Sequence, residues 1–146
     1  MNLFGVLAVS GSALKAERIR AEVVAANMAN AETTRTAAGG PYRRQHVVFR
    51  AISADGGNFQ SQLLGQQAAG SGGVEIAAVA EDSSSTLRRY DPQHPDADKD
   101  GYVAYPDINP LTEMVDLMGA TRAYGLNSSA VQATKGMIAA SLDILK

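Results

Sequence analysis

The sequence predicts a mainly α protein with a small β insertion: long N- and C-terminal helices paired as a coiled-coil-like hairpin, with a central β-rich excursion between them. Three observations lead there. Apolar residues recur at 3-4 spacing through the first 30 residues, a longer periodic segment follows Asn109-Pro110, and the stretch between them is punctuated by Gly, Pro and β-branched residues. The boundaries fall at 1–36 for the N-terminal helix, 37–108 for the central β-rich and loop region, and 109–146 for the C-terminal helix.

In the first segment Leu3, Leu7, Leu14, Ala21, Val24 and Met28 share one seam, and Lys15, Arg18 and Glu22 fall together on another face. Arg18 and Glu22 stand four apart, an arrangement that supports a helix modestly. Thr33, Thr34 and Thr36 should fray the helix, and Gly39-Gly40-Pro41 should stop it. Residues 43–53 are β-prone, and 74–80 and 101–105 read as further strands. Between the first two, 65–73 (GQQAAGSGG) has no large apolar residue and reads as a flexible loop.

The last helix has the clearest start. Asn109 can cap it, Pro110 suits its first position, and Glu113 and Asp116 complement the dipole at that end. A helix from there to Lys146 spans roughly 50 Å at 1.5 Å per residue, far longer than the average globular helix. Such a length suits an assembly element.

Both helices carry two apolar faces where a hairpin needs one. On the C-terminal helix one seam includes Met114, Leu117, Tyr124, Val131, Ile138, Leu142 and Leu145. Two residues on, about 200° around the helix, lie Gly119, Ala123, Leu126, Ala130, Ala133, Met137, Ala140 and Ile144. The N-terminal helix repeats the habit at Gly5, Val9, Ser12, Ala16, Ile19, Val23, Ala26 and Asn30. Helices packed only on each other would leave the second seams wet, so neighbouring subunits are expected to cover them. The competing reading folds the central strands over those seams to complete a monomeric core.

Composition narrows the function. The chain has 146 residues and a net charge of -2, within the usual size of one domain, and no basic stripe to neutralise phosphates. Nucleic acid is therefore not an expected partner. Without cysteine there are no disulfides, thiolate metal sites or cysteine nucleophiles. Aromatic residues are 5% and Trp is absent, so a self-sufficient monomeric core would be thin. The N-terminus lacks a positively charged lead and a convincing cleavage site, and no apolar run reaches membrane-spanning length, so export without a cleaved signal or a cytoplasmic location is expected.

The sharpest chemical signal is Asp96-x-Asp98-x-Asp100-Gly101, with Asp107 in the twelfth place, which approaches the spacing of a calcium-binding EF-hand loop. His94-Pro95 stand where an incoming helix should be, and Tyr105-Pro106 oppose an outgoing one. A solvated acidic loop accounts for the pattern, with a calcium-binding helical module as the alternative of a different class. His46 and His94 have no metal-ligand spacing, and no nucleophile elbow or phosphate loop is present. The expectation is no enzyme activity, no cofactor and no small-molecule substrate.

Three stretches together carry a family resemblance. Ala26-Asn27-Met28-Ala29-Asn30-Ala31-Glu32-Thr33-Thr34 resembles the Ala-Asn-x-x-Asn-x-x-Thr signature of the flagellar rod and hook axial proteins. Gly39-Gly40-Pro41-Tyr42-Arg43-Arg44, then Tyr90 to Asp98 and Gly101-Tyr102-Val103, are similar to the FlgC family of basal-body rod proteins in particular. Glu113-Met114-Val115-Asp116 and Ala120-Thr121-Arg122-Ala123-Tyr124 resemble that family's C-terminal assembly helix. The chain departs from the pattern at Asp107-Ile108-Asn109 and at Gly125-Leu126.

The resemblance implies a self-assembling structural subunit of the proximal rod that helps transmit motor torque, with a different proximal-rod subunit as the nearest alternative. It implies export through the flagellar type III apparatus, a place in the periplasm-spanning rod, and neighbours that are further copies and other rod subunits. Leu3, Leu7, Leu14, Val24, Asn27, Met28, Asn30, Leu117, Tyr124, Ala130, Val131, Ala133, Met137, Ile138, Leu142 and Leu145 are the expected assembly residues.

Overall fold

The computed structural model describes residues 3–52, 72–83 and 86–144. Two helices, α1 (Leu3–Ala29) and α2 (Pro110–Asp143), enclose in sequence four strands: β1 (Gln45–Ile52), β2 (Gly73–Glu81), β3 (Leu87–Tyr90) and β4 (Tyr102–Tyr105). The mainly α class with a small β insertion is therefore observed.

α1 closes at Ala29, earlier than its periodicity suggested, and side chains cap its end beside the last helical bond, from Asn30 N–H to Ala26 C=O at 3.1 Å. The Asn30 amide donates back to the Ala26 carbonyl at 2.9 Å, and the Thr33 hydroxyl donates to Asn30 Oδ1 at 3.1 Å. The chain then loops back, with Tyr42 N–H donating to Thr33 C=O at 3.0 Å and Thr36 N–H to Gly40 C=O at 2.8 Å. That loop delivers the chain to β1.

β1 pairs with β2 in a two-stranded sheet. The expectations for 43–53 and 74–80 correspond to these strands, with Gly73 opening β2. Gly73 packs so closely on Ser12 that a Cβ there would sit 2.9 Å from the hydroxyl oxygen. The same hydroxyl accepts from Val74 N–H at 3.1 Å and donates to Val9 C=O at 2.7 Å. Residues 65–71 of the loop expected over 65–73 lie outside the described residues.

β3 was not foreseen. Leu-Arg-Arg-Tyr has no alternation of apolar and polar residues and every position is exposed, so its strand form depends on pairing. It runs antiparallel to β4, with Leu87 opposite Tyr105, Arg88 opposite Ala104, Arg89 opposite Val103 and Tyr90 opposite Tyr102. The Arg88 and Arg89 guanidinium groups lie over the Tyr102 and Tyr105 rings, 5.2 and 5.0 Å from their centroids.

The chain divides into two compact units. One combines Met1–Ile19, Phe49–Ala77 and Ala120–Lys146, and its buried side chains include Ser10, Ala16, Ala120 and Thr134. The other combines Arg20–Val48 with Ala78–Gly119 and buries Val24, Asn27, Val103, Ile108 and Glu113. Small and polar side chains fill much of both interiors. No helix among the described residues is long and apolar enough to cross a membrane.

Candidate assembly surface and its internal support

The start of α2 is built as its sequence foretells. Asn109 Oδ1 accepts from Leu111 N–H at 3.0 Å, and Asn109 C=O accepts from Glu113 N–H at 3.1 Å. Glu113 does more than complement the dipole: it is only 1% exposed. Its Oε1 accepts from Arg44 Nε at 2.7 Å and its Oε2 from Asn27 Nδ2 at 3.0 Å.

Asp116, one turn on, pairs with Arg20 at 3.3 Å and with Arg44 at 3.8 Å. The end of α1, the lead into β1 and the first turns of α2 thus meet in one polar cluster within a single unit. Sequence reading named Arg44 only within a motif and missed its pairing with a buried Glu113, because an acid at a helix start already has a sufficient local explanation in the dipole. Tyr42 completes the cluster by donating from its hydroxyl to Asn27 Oδ1 at 3.2 Å. Burial, then the nearby Glu81 and Glu113, push the Tyr42 phenol above its ordinary value.

What α2 buries is small or polar, and what it exposes is large and apolar. Its buried positions are Glu113, Ala120 and Thr134, and the Thr134 hydroxyl donates to Ala130 C=O at 2.8 Å. Leu111, Met114, Val115 and Met118 are exposed side by side near its N-terminus, as are Tyr124, Leu126, Met137, Leu142 and Ile144 farther along. Met118 is 62% exposed and Leu126 is 67% exposed, the reverse of what a helix serving only a monomeric core presents. The two sequence seams missed Leu111, Val115 and Met118, although their i, i+4, i+7 spacing was readable.

The expected assembly residues divide accordingly. Tyr124, Ala133, Met137 and Leu142 are exposed, while Leu3, Leu7, Leu14, Met28, Asn30, Leu117, Ala130, Val131 and Ile138 are half-buried. Val24 and Asn27 are buried inside the chain, and Leu145 lies outside the described residues.

The acidic loop has other engagements. Asp96 accepts from the Thr34 hydroxyl at 2.8 Å and pairs with Arg35 at 3.5 Å, and Asp98 pairs with Arg88 at 3.5 Å. The chain before it turns through residues 92–96 instead of forming a helix, and β4 follows it. No cluster of metal-ligating side chains is present among the described residues. Nothing therefore favours the calcium module.

Residues 7–35 match the family model described as flagella basal body rod protein, and residues 99–144 match that of the flagellar basal body rod FlgEFG protein C-terminal region. The chain is 44% identical to the flagellar basal-body rod protein FlgC of Bacillus subtilis, over 100% of both chains. It is 40% identical to FlgC of Borreliella burgdorferi, covering 100% of this chain and 99% of that one. With FlgC of Salmonella typhimurium the identity is 35%, over 99% of this chain and 98% of the other. Full-length similarity at this level, with rod-protein models matching both ends, makes the chain a member of the FlgC family of flagellar basal-body rod proteins.

Proposed function

We propose that this chain is a structural subunit of the flagellar basal-body rod, in its proximal part, and that it assembles with further copies and with other rod subunits to transmit torque. The observation that carries the reading is the inverted helix α2, which buries Ala120 and Thr134 and exposes Leu111, Val115, Met118, Leu126 and Met137. Exposed apolar area of that kind is stabilised when a neighbour covers it, at about 25 cal/mol per Å² removed from water. The family's structural character gives no support to an enzyme.

In this reading residues 1–36 and 109–146 are the assembly segments, their helices α1 and α2 paired along their length, and 37–108 is the central β-rich region between them. The polar cluster at Glu113 supports such a pairing at one end. Leu3, Leu7, Leu14, Met28, Asn30, Leu117, Tyr124, Ala130, Val131, Ala133, Met137, Ile138, Leu142 and Leu145 contribute to contacts between subunits, and Val24 and Asn27 act through the chain's own fold. The subunit leaves the cell body through the flagellar type III apparatus without cleavage, because a chain with so thin a core can travel unfolded and recover its ordering cost on burial.

Deletion of the gene followed by electron cryotomography of the motors tests this. Export machinery and inner-membrane ring without a completed rod are expected, and intact rods in swimming cells would overturn it.

A further inference from the structure

The hydrogen-bonding capacity of Asn27 is fully spent inside one unit of the chain. Its Oδ1 accepts from Gln45 N–H at 2.9 Å and from the Tyr42 hydroxyl at 3.2 Å. Its Nδ2 donates to Gln45 C=O at 2.7 Å and to Glu113 Oε2 at 3.0 Å. Two lone pairs and two N–H groups exhaust a primary amide, and the residue is 1% exposed.

The geometry is selective. Bonded to both N–H and C=O of Gln45, the side chain imitates the paired hydrogen bonds that a neighbouring strand would offer the first residue of β1. Aspartate has no N–H to give Gln45 C=O, and it would face Glu113. Glutamine has the right atoms one methylene too far out. The partner carboxylate is fixed in turn by Arg44, adjacent in sequence to Gln45, so a slip of α1 by one residue would separate all four bonds at once.

We propose that Asn27 is the register-determining residue of the chain: its amide defines the one alignment in which the end of α1, the start of β1 and the start of α2 are all paired. Buried polar groups that fix register in this way do so because every slipped alternative leaves them unsatisfied. The signature at residues 26–34 thereby acquires a physical division of labour, with Asn27 bonding across elements and Asn30 bonding locally to Ala26.

The test uses the full-length protein, expressed from a plasmid in cells lacking their own copy, with swimming rate and immunoblotted abundance as readouts. It rests on the rod reading, and the wild-type control separates the two: failure of the wild-type gene to restore swimming is failure of that reading. Asn27→Gln and Asn27→Asp are each expected to lower swimming at least tenfold. Pairing Asn27→Asp with Glu113→Gln restores a donor opposite the new carboxylate but not the donor to Gln45 C=O, so the double variant is expected to exceed Asn27→Asp in swimming or abundance while staying below the wild type. If Asn27→Asp fails to accumulate, recovery of its abundance in the double variant carries the same meaning. Swimming of Asn27→Gln at the wild-type rate, or a double variant no better than Asn27→Asp alone in both readouts, would overturn the proposal.

Discussion

Gly101 passes beneath Tyr90 so closely that a Cβ on it would lie 2.9 Å from Tyr90 Cε2, and its φ of 78° already lies in the left-handed region. The position therefore opposes side chains for two independent reasons, a strained backbone conformation and a ring that would have to move. Gly101 N–H donates to Asp98 C=O and its own carbonyl accepts from Asp91 N–H, both at the mouth of the β3–β4 pair. Gly101→Ala should cost about 1–2 kcal/mol for the left-handed φ. Because Tyr90 is exposed, its ring can swing aside, adding up to about 1 kcal/mol for the lost edge-to-face contact with Tyr102. Urea unfolding followed by tyrosine fluorescence measures the sum, and a loss under about 0.5 kcal/mol would contradict this account.

The Tyr42 phenol gives a pH signature. Its folded-state value is raised above 10.0, so the unfolded chain releases the proton first as pH climbs. The contribution is fully present below pH 10 and is lost as the pH rises through the folded-state value. Tyr42→Phe should flatten that alkaline decline while lowering stability at pH 7 through the missing bond to Asn27, by about 1 kcal/mol. Thermal midpoints of both proteins between pH 7 and 11 decide it: parallel curves would show that Tyr42 is not the group responsible.

The cap of α2 offers a cleaner local test. Asn109→Ala removes the acceptor for Leu111 N–H without touching the buried cluster, since Glu113 N–H bonds to the residue-109 backbone carbonyl. About 1 kcal/mol of stability should go with it, read as a lower thermal midpoint by circular dichroism at 222 nm. Asn109→Ser, which keeps a capping oxygen, should recover most of that loss. An unchanged midpoint in Asn109→Ala would mean that solvent satisfies the helix end equally well.

How far the sequence revealed these features follows from the range of the interactions. The Asn109 cap, the helix periodicity and the strands at Gln45–Ile52 and Tyr102–Tyr105 rest on residues close in sequence, and pattern reading finds them. β3 rests on the cross-strand partners Tyr102 to Tyr105, and the Asn27–Glu113 bond joins residues 86 apart. No local pattern encodes such pairings. The burial of Ala120 and Thr134 in place of Met114 and Tyr124 was hidden for a related reason, since a helix apolar on two faces does not announce which stripe turns inward.

That ambiguity yields the most demanding prediction. Met118 and Ala133 are both exposed in the single chain, so Met118→Glu and Ala133→Glu exchange one solvated side chain for another that favours helix. Each should change the stability of the isolated protein by no more than about 0.5 kcal/mol. Where a neighbouring subunit covers α2, the same carboxylate is buried without a partner at a cost of several kcal/mol, enough to block assembly. The expected outcome is a protein that unfolds at the wild-type midpoint, is exported at the wild-type level, and supports no swimming. A destabilised monomer would place the residue in the chain's own core after all, and normal swimming would show that its position on α2 faces solvent in the finished rod.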